Sequence, residues 1–233
     1  MNKFSLIKKI PILVLILIVP GFLYYLLTVK GKNRYHPLPK FGPKVVAKTT
    51  HRVSGKDIPD TIYHTLSDFH LTDQDGKPVS LSTFDDRIFV ANFFYTHCPT
   101  VCNEMNGHVD SVLKIYTKTK MVCFASITVD PARDSVKALK SYSAKFNAPP
   151  SKWMFLTGDT STIYNLARLG FFVDAMQNGK DDFIYSDKLV LIDQHKRIRG
   201  YYSGASMTDV LRLKDEIKVL IYEELRAKEA PLY

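Results

Sequence analysis

Three stretches of the chain are almost wholly apolar, and they differ in length. IPILVLILIVPGFLYYLLTV (10–29) runs for twenty residues without a charge, about what a helix needs to cross a bilayer. IFVANFF (88–94) and MVCFASITV (121–129) are short and rich in β-branched and aromatic residues, the pattern of strands buried on both faces. Elsewhere the period lengthens. Val101, Met105, Val109, Val112 and Leu113 fall near helical spacing and predict a helix over 100–118. SVKALKSYSAKF (135–146), residues 161–169 and the amphipathic MTDVLRLKDEIKVLIYEEL (207–225) predict three more helices, and WMFLT (153–157) a further strand. KLVLID (188–193) and RIRGYYS (197–203) flank Gln194-His195-Lys196 and predict an antiparallel hairpin. FHLTDQDGKPVSL (69–81) predicts a smaller one, turning at Gln74-Asp75-Gly76.

Strands alternating with helices, then a hairpin and a closing helix, give the order of an α/β thioredoxin-like sandwich, here preceded by an N-terminal transmembrane helix. The boundaries follow: a short tail over 1–9, an anchor over 10–29, a stalk over 30–60 and a thioredoxin-like domain over 61–228. The stalk expectation rests on HPLPKFGPK (36–44), punctuated by Lys, Pro and Gly with little periodicity. A cleaved signal peptide competes with the anchor, but the apolar run is long and no small-x-small cleavage site follows it. Pro11 and Pro20 would bend such a helix without forbidding it.

Of the 233 residues, 45% are hydrophobic and 24% charged, ordinary for a chain with a substantial core. The formal charge of +9 suggests nucleic acid until its origin is located. Eight basic residues and no acid lie between Met1 and Lys44; taking those eight from the 32 leaves 24 basic residues against 23 acidic ones. The basicity belongs to the N-terminal segment, so no nucleic-acid partner is expected. Basic residues flank both ends of 10–29, so the positive-inside bias does not choose an orientation.

The candidate chemistry lies in YTHCPTVCNEMN (95–106), where Cys98 and Cys102 follow a strand and open a helix, with Pro99 suited to the first helical turn. Amides at a helix start stabilise a thiolate, and a protonated His97 would add to this. Residues at i and i+4 share a helix face. The pair can therefore form a redox disulfide, bind a soft metal such as Cu(I), or only pack.

The motifs in this sequence resemble the Sco/SenC family of membrane-anchored, thioredoxin-like copper proteins that assist cytochrome c oxidase assembly. The resemblance covers roughly 61–225 and the N-terminal anchor. It is carried by FFYTHCPTVC (93–102), with three residues between its cysteines, by ITVDPARDS (127–135), similar to a Val-Asp-Pro-x-x-Asp segment, and by the LTDQDGKPVSL hairpin. It implies Cu(I) held by Cys98 and Cys102, and a client that is cytochrome c oxidase subunit II or another thiol or copper protein. It also implies single-pass anchoring in the inner (cytoplasmic) membrane, with the domain on the extracytoplasmic, periplasmic side. The family completes its copper site with a distal histidine about eight residues ahead of the acid that closes the late strand. Counting back from Asp193 reaches Tyr185, and no histidine lies between His108 and His195. The third ligand is therefore expected to be missing, since a phenol with a pKa near 10 is a poor Cu(I) ligand.

Two functional readings remain open at this level, besides a plain anchored interaction module. One is delivery of copper to the oxidase, or keeping its copper-site cysteines reduced. The other is a copper-independent thiol–disulfide oxidoreductase, in which the Cys98 thiolate attacks and Cys102 resolves. Among possible replacement ligands, His195 is expected to be solvated, His108 to lie on a different helix face from Cys102, His64 and His70 to be surface residues, and Met105 to belong to the core despite its soft thioether. Cys123, in mid-strand, is expected to pack as a small hydrophobe. Asp134 is expected to cap the helix that follows it, near Asp130. Arg133 is expected to be solvated, as is the loop NGKDDF (178–183).

Overall fold

The computed structural model describes residues 3–26, 37–53, 55–98, 101–147, 149–179 and 183–229. The chain divides into two units, Met1–His36 and Pro37–Tyr233. The first contains α1 (Lys3–Tyr25), whose large apolar side chains from Val14 to Tyr25 are exposed. Residues 27–29 of the expected span lie outside the described residues. Among the described residues no helix is long and apolar enough to cross a membrane.

The second unit opens with β1 (Lys44–Val53) and β2 (Lys56–Tyr63), an antiparallel hairpin. Part of the stretch expected as a stalk is thus paired strand. Its residues are exposed or only partly buried, so no alternation of apolar and polar positions marked it. β3 (His70–Thr72) and β4 (Pro78–Ser80) form the expected small hairpin, with Asp73 accepting the Asp75 and Lys77 amides at 2.8 and 2.9 Å.

The central sheet has the order β11-β10-β5-β6-β7. β5 (Ile88–Phe94), β6 (Val122–Thr128) and β7 (Trp153–Leu156) run parallel; β10 (Lys188–Ile192) and β11 (Ile198–Ser203) are antiparallel to their neighbours. Every residue of β5 and β6 is buried, which is why both read as continuous apolar runs. Alternate residues serve two cores. Val90, Phe94, Phe124, Phe155 and Leu191 face α2 (Val101–Ile115), α3 (Val136–Ser143) and α5 (Met207–Glu229). Phe89, Phe93, Ala125, Ile127 and Ile192 face the β3–β4 hairpin and α4 (Thr160–Asn165). The result is the mixed α/β sandwich of the thioredoxin-like class.

Asn92 would be costly in such a strand without partners. It has them: its amide donates to Asn106 at 3.0 Å and its carbonyl accepts from Ser126 at 2.7 Å. α2 stops at Ile115, three residues before the expected end, because Tyr116 turns inward and donates to the Lys214 carbonyl at 2.6 Å. Its expected start at Thr100 lies outside the described residues. α3 is capped by Ser135, which accepts from the Ala138 amide, and not by Asp134.

The strand register fixes the two ends of the sheet. Phe94, Lys188 and Ser203 lie at one end, and Ile192 and Ile198 at the other, roughly 20 Å away along a seven-residue strand. Residues 37–41 dock at the second end. Buried Arg199 donates to the carbonyls of Pro39 and Leu38 at 3.1 and 2.7 Å and pairs with Asp193 and Glu223, while the Phe41 amide bonds Ile198 O at 2.9 Å.

Candidate functional site

At the first end β5 stops at Phe94, and residues 95–98 turn toward α2. A buried carboxylate holds that turn. Asp134 accepts the Thr96 amide at 3.0 Å and the hydroxyls of Thr96 and Thr128. Asp134, expected from the sequence to cap the following helix, holds this turn instead. Nothing in spacing or periodicity pairs residue 134 with residue 96. The Thr96 hydroxyl gives its proton to Asp134, so the His97 Nδ1 that lies 3.0 Å from it is the donor. The His97 ring is otherwise exposed.

Cys98 and Cys102 are joined by a disulfide, with Cα atoms 5.8 Å apart. Cys98 is 4% exposed and Cys102 not at all. The Cys102 amide, in the first turn of α2 where amides lack helical partners, donates to Cys98 Sγ at 3.2 Å. Pro99 and Thr100 lie outside the described residues.

Tyr185 comes from a place the strand pattern did not reveal. β8 (Ala175–Gln177) pairs with β9 (Phe183–Tyr185) in a three-residue hairpin, Ala175 opposite Tyr185. Phe183 points inward and Ile184 outward, so Tyr185 points inward too. Its hydroxyl lies 3.1 Å from Cys98 Sγ and 3.2 Å from Cys102 Sγ. Disulfide sulfurs carry no proton, so the phenol is the donor to both. The ring meets Tyr95 edge-on with centroids 5.6 Å apart, and Tyr95 packs on Phe183 at 5.1 Å. Burial, then Tyr95, then Asp187 push the Tyr185 pKa above its usual value, so the phenol is neutral at physiological pH.

The other candidates are occupied elsewhere. Met105 is fully buried against Gly204, where an added Cβ would meet its Cγ at 2.4 Å. His108 bonds Gly204 O at 2.7 Å and His64 bonds Gly170 O at 2.9 Å; His64 is therefore partly buried and engaged, not a bare surface residue. His70 is exposed, 3.8 Å from Asp68, and His195 is exposed, 4.0 Å from Glu224. Cys123 is buried in β6, and burial pushes its thiol up to about 11. Arg133 is not merely solvated: it pairs with Asp130 and lies over the Phe183 ring at 5.7 Å. Residues 180–182 of the NGKDDF loop lie outside the described residues. Among the described residues no group of three His, Cys, Asp or Glu side chains could hold a metal ion. The donor set at the pair is two sulfurs and a neutral phenol, which suits a two-thiolate Cu(I) complex and offers no soft third ligand.

A thioredoxin-like sandwich with a cysteine pair where β5 meets α2 defines the class of protein. Comparison with known proteins narrows it. The SCO1/SenC family model matches residues 60–220, and the chain belongs to that family. It is 29% identical over 167 residues to the SCO1 protein homolog of Bacillus subtilis, covering 70% of this chain and 86% of the relative. Among solved structures it is similar to BsSco, a member of the Sco family of cytochrome c oxidase assembly proteins in which a disulfide switch was identified. There the identity is 28%, the TM-score 0.60, and the coverage 66% of this chain and 91% of the other. Arabidopsis thaliana ScoI with copper bound gives 25% identity and a TM-score of 0.59 over 69% of this chain and 99% of the other.

Proposed function

We propose that this protein is a membrane-anchored Sco-type assembly factor. On this reading it acts on the copper-site thiols or the copper supply of cytochrome c oxidase subunit II through Cys98 and Cys102. The observation that carries the reading is the bonded cysteine pair where β5 meets α2 in a Sco-family domain. Residues 37–41 dock at the end of the central sheet opposite the pair. The apolar run 10–29 supplies the anchor. The domain stands on the extracytoplasmic, periplasmic side, where disulfides persist.

Copper is cargo in this scheme. The reduced pair presents two thiolates, soft ligands suited to Cu(I), and Asp134 holds the turn that carries them through Thr96. The test is anaerobic Cu(I) titration of the reduced full-length protein against a competing chelator. One Cu(I) per chain is expected, released on oxidation of the pair. A protein that leaves all the copper with a weak chelator is not a copper carrier.

A second reading is favoured by one observation. The phenol stands beside both sulfurs as a proton donor where a metal site would want a lone pair. That arrangement suits a copper-independent thiol–disulfide oxidoreductase.

The anchor has its own test. Removing residues 1–36 takes away the continuous apolar run and most of the excess charge but leaves the docking of Leu38, Pro39 and Phe41 intact. The shortened chain is expected in the soluble fraction, folded and monomeric. Its persistence in the membrane fraction would end the anchor assignment.

A further inference from the structure

We propose that Tyr185 is a catalytic hydrogen-bond donor for thiol–disulfide exchange at Cys98–Cys102. This rests on the redox reading above and assigns the group that makes it work. One phenol proton is shared between two sulfurs, at 3.1 and 3.2 Å. A bonded disulfide sulfur is a weak acceptor, whereas a thiolate is a charged one, and hydrogen bonds to charged groups are roughly twice as strong. The donor therefore stabilises the state in which the sulfur–sulfur bond has broken more than the state in which it is intact, as catalysis requires. It is also already in place, held by Tyr95 and by the pairing of β9 with β8, so no reorganisation is needed when charge develops.

The exchange runs as follows. The thiolate of a client dithiol attacks Cys98 Sγ, which belongs to the less buried of the two cysteines. A bond forms between the client sulfur and Cys98, the Cys98–Cys102 bond breaks, and its electron pair leaves on Cys102 Sγ. That sulfur is fully buried, and the phenol supplies the hydrogen bond that water cannot. The client's second thiolate then attacks its own bridged sulfur and releases Cys98 as a thiolate, which the same phenol and the Cys102 amide both reach. The client loses two electrons and becomes a disulfide; the pair gains them, one proton passes from the client's second thiol by way of solvent to Cys102, and Cys98 remains the thiolate that the phenol and the Cys102 amide hold. The reverse sequence reduces a client disulfide.

Tyr185→Phe keeps the ring against Tyr95 and removes only the donor. In the full-length protein, with dithiothreitol as the dithiol, the variant should be reduced about tenfold more slowly, the worth of one hydrogen bond to a charged group. Its disulfide should also be harder to reduce at equilibrium, by about 30 mV for a tenfold change in the constant. A ring that merely packed poorly would uncover the disulfide and speed its reduction, the opposite sign. Unchanged rate and potential in Tyr185→Phe, with an active wild type, overturn the role of the phenol and leave the redox reading standing. A wild type whose disulfide does not exchange with dithiothreitol overturns both.

Discussion

Cys98→Ser is expected to abolish thiol–disulfide exchange and to remove Cu(I) binding as well. The serine hydroxyl is neither a nucleophile toward disulfides at neutral pH nor a soft ligand, so one substitution tests both chemistries. The loss should not come from unfolding. The disulfide closes a loop with a sequence separation of only 4, so the cross-link contributes less than the about 3 kcal/mol of a 15-residue loop. Asp134, Thr96 and Thr128 hold the turn independently of the sulfurs. The far-UV spectrum should therefore match that of the reduced wild type. Cys102→Ser should behave differently, because Cys98 is the less buried of the two cysteines. The Cys98 thiolate of that variant should attack a client disulfide such as oxidised glutathione, expel one half as a thiol and retain the other as a mixed disulfide, visible as a mass shift under non-reducing conditions, and Cys98→Ser should not. If Cys102→Ser stays unmodified while Cys98→Ser is trapped, the order of attack is reversed.

Much of this architecture was legible in the sequence because burial leaves a periodic trace. β5 and β6 are buried on both faces and read as unbroken apolar runs. α5 packs Val210, Leu213, Ile217 and Leu220 on the core, a spacing that announces a helix. The late hairpin was legible because Gln194-His195-Lys196 interrupts two apolar stretches. What stayed hidden lacked such a trace. β1 and β2 bury too little of either face to pattern it, and β8 and β9, at three residues each, are too short to show a period. Asp134 serves a turn 38 positions earlier, and a contact across that separation leaves no local signature.

The site was half legible for a related reason. Cys98 and Cys102 sit four apart at a strand-to-helix turn, so local geometry brings them together. Tyr185 reaches them from 83 and 87 positions away. Counting back from Asp193 could locate it, but which way its hydroxyl pointed depended on β9 pairing with β8. The neutral phenol that looked in the sequence like a missing ligand is, in the fold, a hydrogen-bond donor to both sulfurs.

Tyr185→His is expected to tighten Cu(I) binding by roughly a hundredfold, the upper end of what a shell change does to a metal site. A neutral imidazole would offer a lone pair where the phenol offers a proton, converting two thiolates into a three-ligand site. The ring is shorter than a phenol, so β9 must move toward the cysteines. A two-stranded hairpin of three-residue strands resists such a shift weakly. Tyr185→Phe should leave the Cu(I) affinity nearly unchanged, since the phenol contributes no bond to the metal. The two variants thus separate the roles of this position: the histidine reports on copper, and the phenylalanine on exchange. Competition with a Cu(I) chelator, run on the reduced proteins without oxygen, gives the comparison directly. Loss of copper in Tyr185→Phe would show that the oxygen ligates after all. An unaltered affinity in Tyr185→His, together with weaker binding in Met105→Leu, would transfer the third-ligand role to the thioether, against its packing on Gly204.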